Sequence, residues 1–311
     1  MKIRTLLTTL FIVLFFSAVV SAQTMQEHLD AGKQAYAKKD YKAAIKSFSA
    51  ALRLDASPSA LWFNRGQAYF YLGNYTAAIS DYSNTIARNP KHLTAYFQRG
   101  VSKNKLGQHA AAVEDYTTAI GLTPTDLRIW YNRGLAREGM GDYDRAIADY
   151  TEAIRLSPRY AKAFLNRGVV YFRQKKYKEA LADTNKGVEF DPTNAEAWDN
   201  RGIILSASGS HDLAIVDFNQ AMKLGPDVPK YYMDRAVTYW RMGRQDTAIA
   251  DLDHAIKLDP KYYQAFLVRG SIRLDAKEYA LARADFEKAL VLDPGNSLAT
   301  KGLAQLKALG Q

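Results

Sequence analysis

The 311-residue sequence contains no cysteine, so disulfides, cysteine-ligated zinc sites and thiol nucleophiles are excluded. Histidine is also sparse, and the five histidines follow no metal-ligand spacing. They are His28, His92, His109, His211 and His254. We therefore predict neither a metal centre nor a bound cofactor.

Catalytic motifs are missing as well. The sequence has no glycine-rich phosphate loop, no His-Glu-x-x-His and no Gly-x-Ser-x-Gly. Two closely spaced aspartate pairs occur, Asp142 with Asp144 and Asp251 with Asp253, but no third ligand follows either pair at metal spacing. We expect a protein without enzymatic activity.

Long apolar runs are absent except at the N-terminus. There, Lys2 and Arg4 precede an apolar run from Leu6 to Val20, which ends in Val20-Ser21-Ala22. This order of a basic segment, an apolar run and a small-residue site is typical of a secretory signal peptide. The run is shorter than the roughly 20 residues that cross a bilayer as a helix.

We therefore predict a signal peptide over residues 1–22 and a mature chain that begins at Gln23 without a membrane span. The expected location is outside the cytoplasm, in a periplasm or cell envelope, or secreted. A retained N-terminal anchor is the alternative.

The formal net charge of +10 raises the question of nucleic-acid binding. The positive charge is spread along the chain, however, and its only dense run, Arg173 to Lys178, falls at a predicted turn between two helices. Such a run is typical of a solvated turn. We expect a protein or peptide partner and no nucleic acid.

A small residue recurs every 34 positions and marks an internal repeat. We call it the hairpin glycine, and alanine takes its place once. An aromatic residue stands four positions before it in seven copies, and a proline ends seven copies. The hairpin glycines are Gly32, Gly66, Gly100, Gly134, Gly168, Gly202, Ala236 and Gly270.

This pattern resembles the tetratricopeptide repeat family, whose period is also 34 residues. The resemblance implies an all-α fold, a right-handed superhelix (α-solenoid) of eight helical hairpins that spans residues 25–296, with a capping helix over 297–311. Lys103 and Arg137 occupy places where the family usually has an aromatic residue. The repeats are 25–58, 59–92, 93–126, 127–160, 161–194, 195–228, 229–262 and 263–296.

An arginine directly precedes the hairpin glycine in seven repeats, and an aspartate follows that arginine sixteen residues later. The first repeat has Ala31 and Ser47 at these places, so both charges are missing together. A row of arginines could bind a polyanion. The matching row of aspartates instead favours salt bridges between the two helices of each hairpin.

In the tetratricopeptide family the first helices of successive hairpins line a concave groove. Transferred to this sequence, the groove places carry an apolar and aromatic stripe, and exposed aromatic side chains often dominate binding. The alternative is that these side chains fill gaps between neighbouring helices. The aromatic candidates are Phe63, Phe70, Phe97, Tyr131, Phe172 and Trp240.

A second stripe, two residues before the hairpin glycine, consists of Asn64, Gln98, Asn132, Asn166 and Asn200. A side-chain amide donates and accepts hydrogen bonds, so it can pair with a peptide backbone of any sequence. Helices pack about 8–10 Å apart and an extended peptide rises about 3.3 Å per residue, so each amide could meet roughly every third residue. Exposed helix-surface polar residues are the alternative.

The sequence thus predicts an exported interaction scaffold that binds an extended peptide or a helix in its concave groove. The alternative is a structural assembly or oligomerisation component of a cell-envelope machine that acts through its convex face. The pattern does not predict an oligomeric state.

Overall fold

The computed structural model describes residues 23–310, which form seventeen α-helices without a strand among them. The predicted all-α repeat fold is confirmed. The predicted signal peptide lies outside the described residues. Within residues 23–310, no helix combines the length and apolar character that a bilayer crossing requires.

The chain divides after Ser157 into two compact units. Unit 1 contains four helical hairpins, built from α1 to α8. These helices are α1 (23–37), α2 (Tyr41–Leu54), α3 (Ser59–Tyr71), α4 (Tyr75–Arg88), α5 (Leu93–Lys105), α6 (His109–Leu122), α7 (Leu127–Gly139) and α8 (Tyr143–Leu156).

Unit 2 begins at Pro158 and contains four further hairpins, followed by a single helix, α17. Its helices are α9 (Ala161–Arg173), α10 (Tyr177–Phe190), α11 (Ala195–Ala207), α12 (His211–Leu224), α13 (Pro229–Arg241), α14 (Gln245–Leu258), α15 (Tyr263–Asp275), α16 (Tyr279–Leu292) and α17 (Ser297–Ala308).

The turn inside each hairpin depends on one residue with left-handed backbone. In the second hairpin this residue is Gly73, with φ of +82°, and the next amide, that of Asn74, donates to the carbonyl of Tyr69 at 2.9 Å. This arrangement closes the end of α3. The side chain of Asn74 then accepts from the amide of Ala77 and caps the start of α4.

The hairpin glycine sets how closely the two helices of a hairpin approach. In the fourth hairpin, a Cβ added at Gly134 would lie 2.7 Å from the ring of Tyr150, which is fully buried. In the seventh hairpin Ala236 replaces the glycine, and the buried residue at the equivalent place of α14 is the smaller Leu252. The extra methyl group of Ala236 is therefore matched by a smaller partner.

Within each unit the hairpins stack in chain order. Each second helix packs against the first helix of the following hairpin, as α4 does on α5 and α12 does on α13. Successive first helices also contact one another, as α5 contacts α7 and α13 contacts α15. The first helices therefore lie on the inner side of each stack.

Candidate functional site

The predicted salt bridges are present in both units. In the fourth hairpin, Nε and Nη2 of Arg133 donate to the carboxylate of Asp149 at 2.8–3.2 Å, and both residues are at least nine-tenths buried. The same two-pronged geometry joins the six other pairs. They are Arg65–Asp81, Arg99–Asp115, Arg167–Asp183, Arg201–Asp217, Arg235–Asp251 and Arg269–Asp285.

Six of the seven arginines also bind a third helix of their own unit, a contact that the sequence interpretation missed. Nη1 of Arg133 donates to the hydroxyl of Thr117 on the preceding hairpin at 3.0 Å. In these six hairpins the residue sixteen places before the arginine supplies the acceptor, as Ser49 does for Arg65 and Asn185 does for Arg201. The arginine therefore joins neighbouring hairpins as well as the two helices of one hairpin.

Lys103 and Arg137, which depart from the family pattern, have a structural role here. Nζ of Lys103 lies 2.9 Å from Asp115, and Nη1 of Arg137 lies 2.8 Å from Asp149. Arg273 makes the same second contact with Asp285 in the last hairpin. The arginines and lysines of this frame are bound to carboxylates, so they do not form an open basic surface.

We use the name inner face for the first-helix side chains that lie six, three and two residues before the hairpin glycine, and one, four and five after it. The resemblance described above implies that these places line the groove. The amides on it are half-buried. Those of Asn64, Gln98 and Asn200 make no side-chain hydrogen bond with any residue in 23–310, whereas Nδ2 of Asn132 donates to the carbonyl of Arg128 at 2.7 Å. Asn166 occupies the same helix place in α9.

In unit 1 an aromatic stripe lies beside these amides. The rings of Phe63, Phe97 and Tyr131 stand 5.8, 6.0 and 5.8 Å from the buried tyrosine ring of their own hairpin. Phe70 contacts Tyr71 and Tyr75 with its ring edge. These predicted binding residues therefore use part of their surface for packing and keep the rest exposed.

Asn64 lies at a small cavity in unit 1. The cavity has a volume of about 90 Å³ and lies between α1 and α3, where its other lining residues include Lys33, Tyr36 and Gln67. The hydroxyl of Tyr36 donates to Oε1 of Gln67 at 2.9 Å. Two successive first helices thus meet through polar side chains at this place.

In unit 2 the two remaining aromatic candidates lie apart from each other. Phe172 contacts Tyr177, with ring centroids 5.9 Å apart. Trp240 packs against the core of the seventh hairpin. It also lines a cavity of about 290 Å³ together with Leu267 of α15 and Leu298 of α17. This cavity is a partly apolar recess near the end of unit 2.

A buried charge cluster in unit 2 was missed from the sequence. Asp199 is fully buried and stands three residues before a hairpin glycine, where unit 1 has its aromatic stripe. Nζ of Lys230 bonds to Asp199 and lies 2.8 Å from Asp234. Oδ1 of Asp199 has no hydrogen-bond partner within the described residues. The sequence did contain a signal for this cluster, because Asp199 is a charged residue at a helix place where the other hairpins carry apolar or aromatic residues.

The charges of this cluster titrate together. Burial, reinforced by the charge of Asp234, raises the pKa of Asp199 to about 7, against the opposing effect of Lys230. Burial also raises the pKa of Asp234. Burial acts to lower the pKa of Lys230, but the two carboxylates outweigh it and raise that pKa. Within residues 23–310, no three histidine, aspartate or glutamate side chains are grouped as a metal site requires.

Comparison with known proteins identifies the repeat. Models of the tetratricopeptide repeat match residues 29–82, 63–126, 131–195 and 233–297, and a second model of this repeat matches residues 195–227. No match to the sequence was found among curated proteins.

Solved structures share the fold. A tetratricopeptide repeat protein from Parabacteroides merdae is 21% identical, with a TM-score of 0.69 over 80% of this chain and 98% of its own. MamA from Desulfovibrio magneticus is 20% identical, with a TM-score of 0.53 over 55% of this chain and 97% of its own. The Cut9–Hcn1 assembly of the APC/C is 15% identical, with a TM-score of 0.64 over 86% of this chain and 52% of the matched chain.

Proposed function

The chain belongs to the tetratricopeptide repeat family, and we propose that it is an exported scaffold that binds an extended peptide or a helix of a partner protein on its inner faces. Proteins with this repeat bind other proteins, and the fold supplies a surface of stacked first helices for that purpose. We propose that it acts by binding alone, without catalysis.

The observation that carries this proposal is the contrast between two rows of polar side chains. The buried arginines have their donors engaged by aspartates and by neighbouring hairpins. The amides of Asn64, Gln98 and Asn200 are half-exposed and make no side-chain hydrogen bond within the described residues. Polar groups that remain available near partly exposed side chains are suited to a polypeptide backbone.

The same contrast argues against a nucleic-acid partner. Nucleic-acid affinity depends on lysines and arginines that are free to neutralise phosphates. Here the regular row of arginines is already neutralised inside the hairpins. We therefore propose that the excess of positive charge has no phosphate-binding role along this row.

Export is proposed from the N-terminal segment. Lys2 and Arg4, the apolar run to Val20 and the site at Ala22 have the order of a secretory signal. The mature protein would then begin at Gln23 and act in a periplasm or cell envelope, or as a secreted protein.

A second candidate function uses the outer surface of unit 2. Leu213 and Val216 on α12 are each 60% exposed, and Val291 on α16 is 73% exposed. These are second helices, which lie away from the inner face. Exposed apolar side chains favour contacts with another protein, so this surface supports the alternative of an assembly component.

The test compares three variants for binding to a partner captured from the envelope fraction of the exporting cell and then purified. The first is Asn64→Ala/Gln98→Ala/Asn132→Ala, the second is Asn166→Ala/Asn200→Ala, and the third, for the outer surface, is Leu213→Ser/Val216→Ser. The mass of the recovered scaffold shows whether it starts at Gln23.

Each amide that binds a peptide backbone contributes about 0.5–1.5 kcal/mol, so the triple variant should lose roughly 1.5–4.5 kcal/mol of affinity by titration calorimetry. Thermal melts should stay unchanged or rise slightly, because asparagine is a mediocre helix former. If both amide variants bind normally while Leu213→Ser/Val216→Ser does not, the outer surface is the binding site.

A further inference from the structure

A cavity of about 390 Å³ lies in unit 2 where the ends of α11 and α13 meet the starts of α10 and α12. The small residue Ser206 lines this cavity. Ser206 stands four residues after its hairpin glycine, where four of the other seven hairpins carry the larger rings of Tyr36, Phe70, Phe172 and Trp240. The missing ring leaves space beside the next first helix.

The cavity is lined by one positively charged residue, Arg241. Its lining residues are Tyr177, Ser206, Ala207, Gly209, His211 and Arg241, and none of them is acidic. Nη1 of Arg241 donates to Oγ of Ser206 at 3.2 Å, and Ser206 is 4% exposed and bonded to Thr238. The guanidinium is therefore held in place by a neutral hydroxyl.

Arg241 differs in this respect from the seven arginines of the hairpin frame, each of which binds an aspartate. Arg241 has no carboxylate partner within residues 23–310, and its side chain is exposed. A guanidinium presents a rigid fork of donors that matches the two oxygens of a carboxylate or phosphate.

His211 lines the same cavity. Its Nδ1 is buried and has no hydrogen-bond partner in the described chain. His211 and Tyr177 are the first residues of α12 and α10, so the cavity wall includes the start of two fourteen-residue helices. Helix starts carry partial positive charge and unpaired amide donors, which favour an anion.

We propose that this cavity binds an oxyanion, a phosphate or carboxylate group, held by Arg241 and His211. The site does not depend on whether the inner face binds a peptide. Ser206 and Arg241 hold inner-face places, four and five residues after Gly202 and Ala236. Both are at the C-terminal ends of their helices, so the site lies at the edge of the inner face, beyond the amides.

The test follows the imidazole resonances of the five histidines by NMR while the full exported chain is titrated with inorganic phosphate at constant ionic strength. The spectrum of His211→Gln assigns the resonance of His211. We expect this resonance to shift saturably with phosphate and not with chloride. A parallel titration with acetate distinguishes a carboxylate site from one that requires phosphate.

Arg241→Gln should weaken binding by about tenfold or more, because a charged hydrogen-bond donor is lost. Arg244→Gln is the matched control. It removes an arginine three residues after Arg241, and the side chain of Arg244 lies over the ring of Tyr239. Binding should stay within about twofold in this control.

Ser206→Phe supplies the ring of the second and fifth hairpins and should abolish binding while Arg241 and His211 both remain. A circular dichroism melt checks that the Ser206→Phe variant folds. If it does not fold, the binding measured for Arg241→Gln decides the outcome. An unshifted His211 resonance, or equal losses in Arg241→Gln and Arg244→Gln, would overturn the proposal.

Discussion

Units 1 and 2 share one internal frame but present different inner faces. All four hairpins of each unit have a small residue at the hairpin-glycine place and one left-handed residue in the turn, and the Arg–Asp pair is present in every hairpin except the first. Three residues before the hairpin glycine, unit 1 carries Phe63, Phe97 and Tyr131 in its last three hairpins. Unit 2 carries Leu165, Asp199, Met233 and Leu267 there. The frame is therefore compatible with aromatic, aliphatic or charged inner-face residues.

The geometry explains why the inner-face residues can differ between the units while the frame stays the same. The arginine of each frame points toward a second helix, where it binds its own aspartate. In six hairpins it also binds a polar or charged residue on the second helix of the preceding hairpin. The inner-face residues lie on the other side of the same first helix. Stability and surface chemistry consequently depend on different side chains, and the two can be tested separately.

The largest expected effect concerns the number of cations that share one aspartate. Asp149 in unit 1 binds Arg133 and Arg137, whereas Asp251 in unit 2 binds Arg235 alone. Breaking a buried ion pair costs about 3–5 kcal/mol. Asp149→Asn should reach the upper end of this range because it strands two cations, and Asp251→Asn should stay near the lower end.

The arginine variants should show the reverse order. Arg133→Ala leaves Arg137 beside Asp149, but Arg235→Ala leaves Asp251 without a cation. Hydrogen exchange in α7–α8 and α13–α14 measures each loss locally, which avoids assuming that the whole chain unfolds in one step. Equal losses for Arg133→Ala and Asp149→Asn would show that Arg137 does not share the charge.

The effect of intermediate size is a pH dependence of stability, which we expect in unit 2 because of Asp199. Burial raises the pKa of Asp199 to about 7, so the folded state holds this proton more tightly than the unfolded chain does. The resulting stability is fully present below about pH 4 and is lost as pH rises toward 7, a change on the order of 2–4 kcal/mol.

Asp199→Asn should remove this pH dependence from α11 and α13. The groups that act on Asp199 are Lys230 and Asp234, and Tyr231 and Tyr262 respond to the same charges. Hydrogen exchange of these helices between pH 4.5 and 7.5 compares the variant with the wild type. Parallel pH profiles for the two proteins would rule out Asp199 as the titrating group.

The smallest expected effect concerns the hydroxyl groups of the buried tyrosines beneath the inner face. Hydroxyls of Tyr82 and Tyr116 are buried without a partner in the described chain, but the hydroxyl of Tyr150 donates to Glu138 at 2.8 Å. Unit 2 has Phe218 at the equivalent place. Tyr82→Phe should therefore be neutral or stabilising, whereas Tyr150→Phe should cost about 1–2 kcal/mol.

Urea denaturation of the two variants measures this difference, and Tyr116→Phe serves as a second test of the unpaired case. Destabilisation by Tyr82→Phe equal to that of Tyr150→Phe would indicate an ordered water bonded to the hydroxyl of Tyr82.

Much of the fold could be predicted from local signals. The recurrence of the hairpin glycine and the closing prolines predicted the helical hairpins, and the paired loss of charge in the first repeat predicted the Arg–Asp bridges. The second cations, Lys103 and Arg137, were recognised only as departures from a pattern. Their role depends on a distance to an aspartate on another helix, which spacing alone does not give.

The sequence by itself determined the repeat, the all-helical hairpins and the pairing of charges, because each depends on residues at fixed separations within one 34-residue unit. Only the tertiary structure decided which side chains meet across neighbouring hairpins. Asp199 meets Lys230, Arg133 meets Thr117, and the space beside Ser206 becomes a cavity next to Arg241. These contacts join separate hairpins, so they follow from the distance and rotation between stacked helices, which no local pattern encodes.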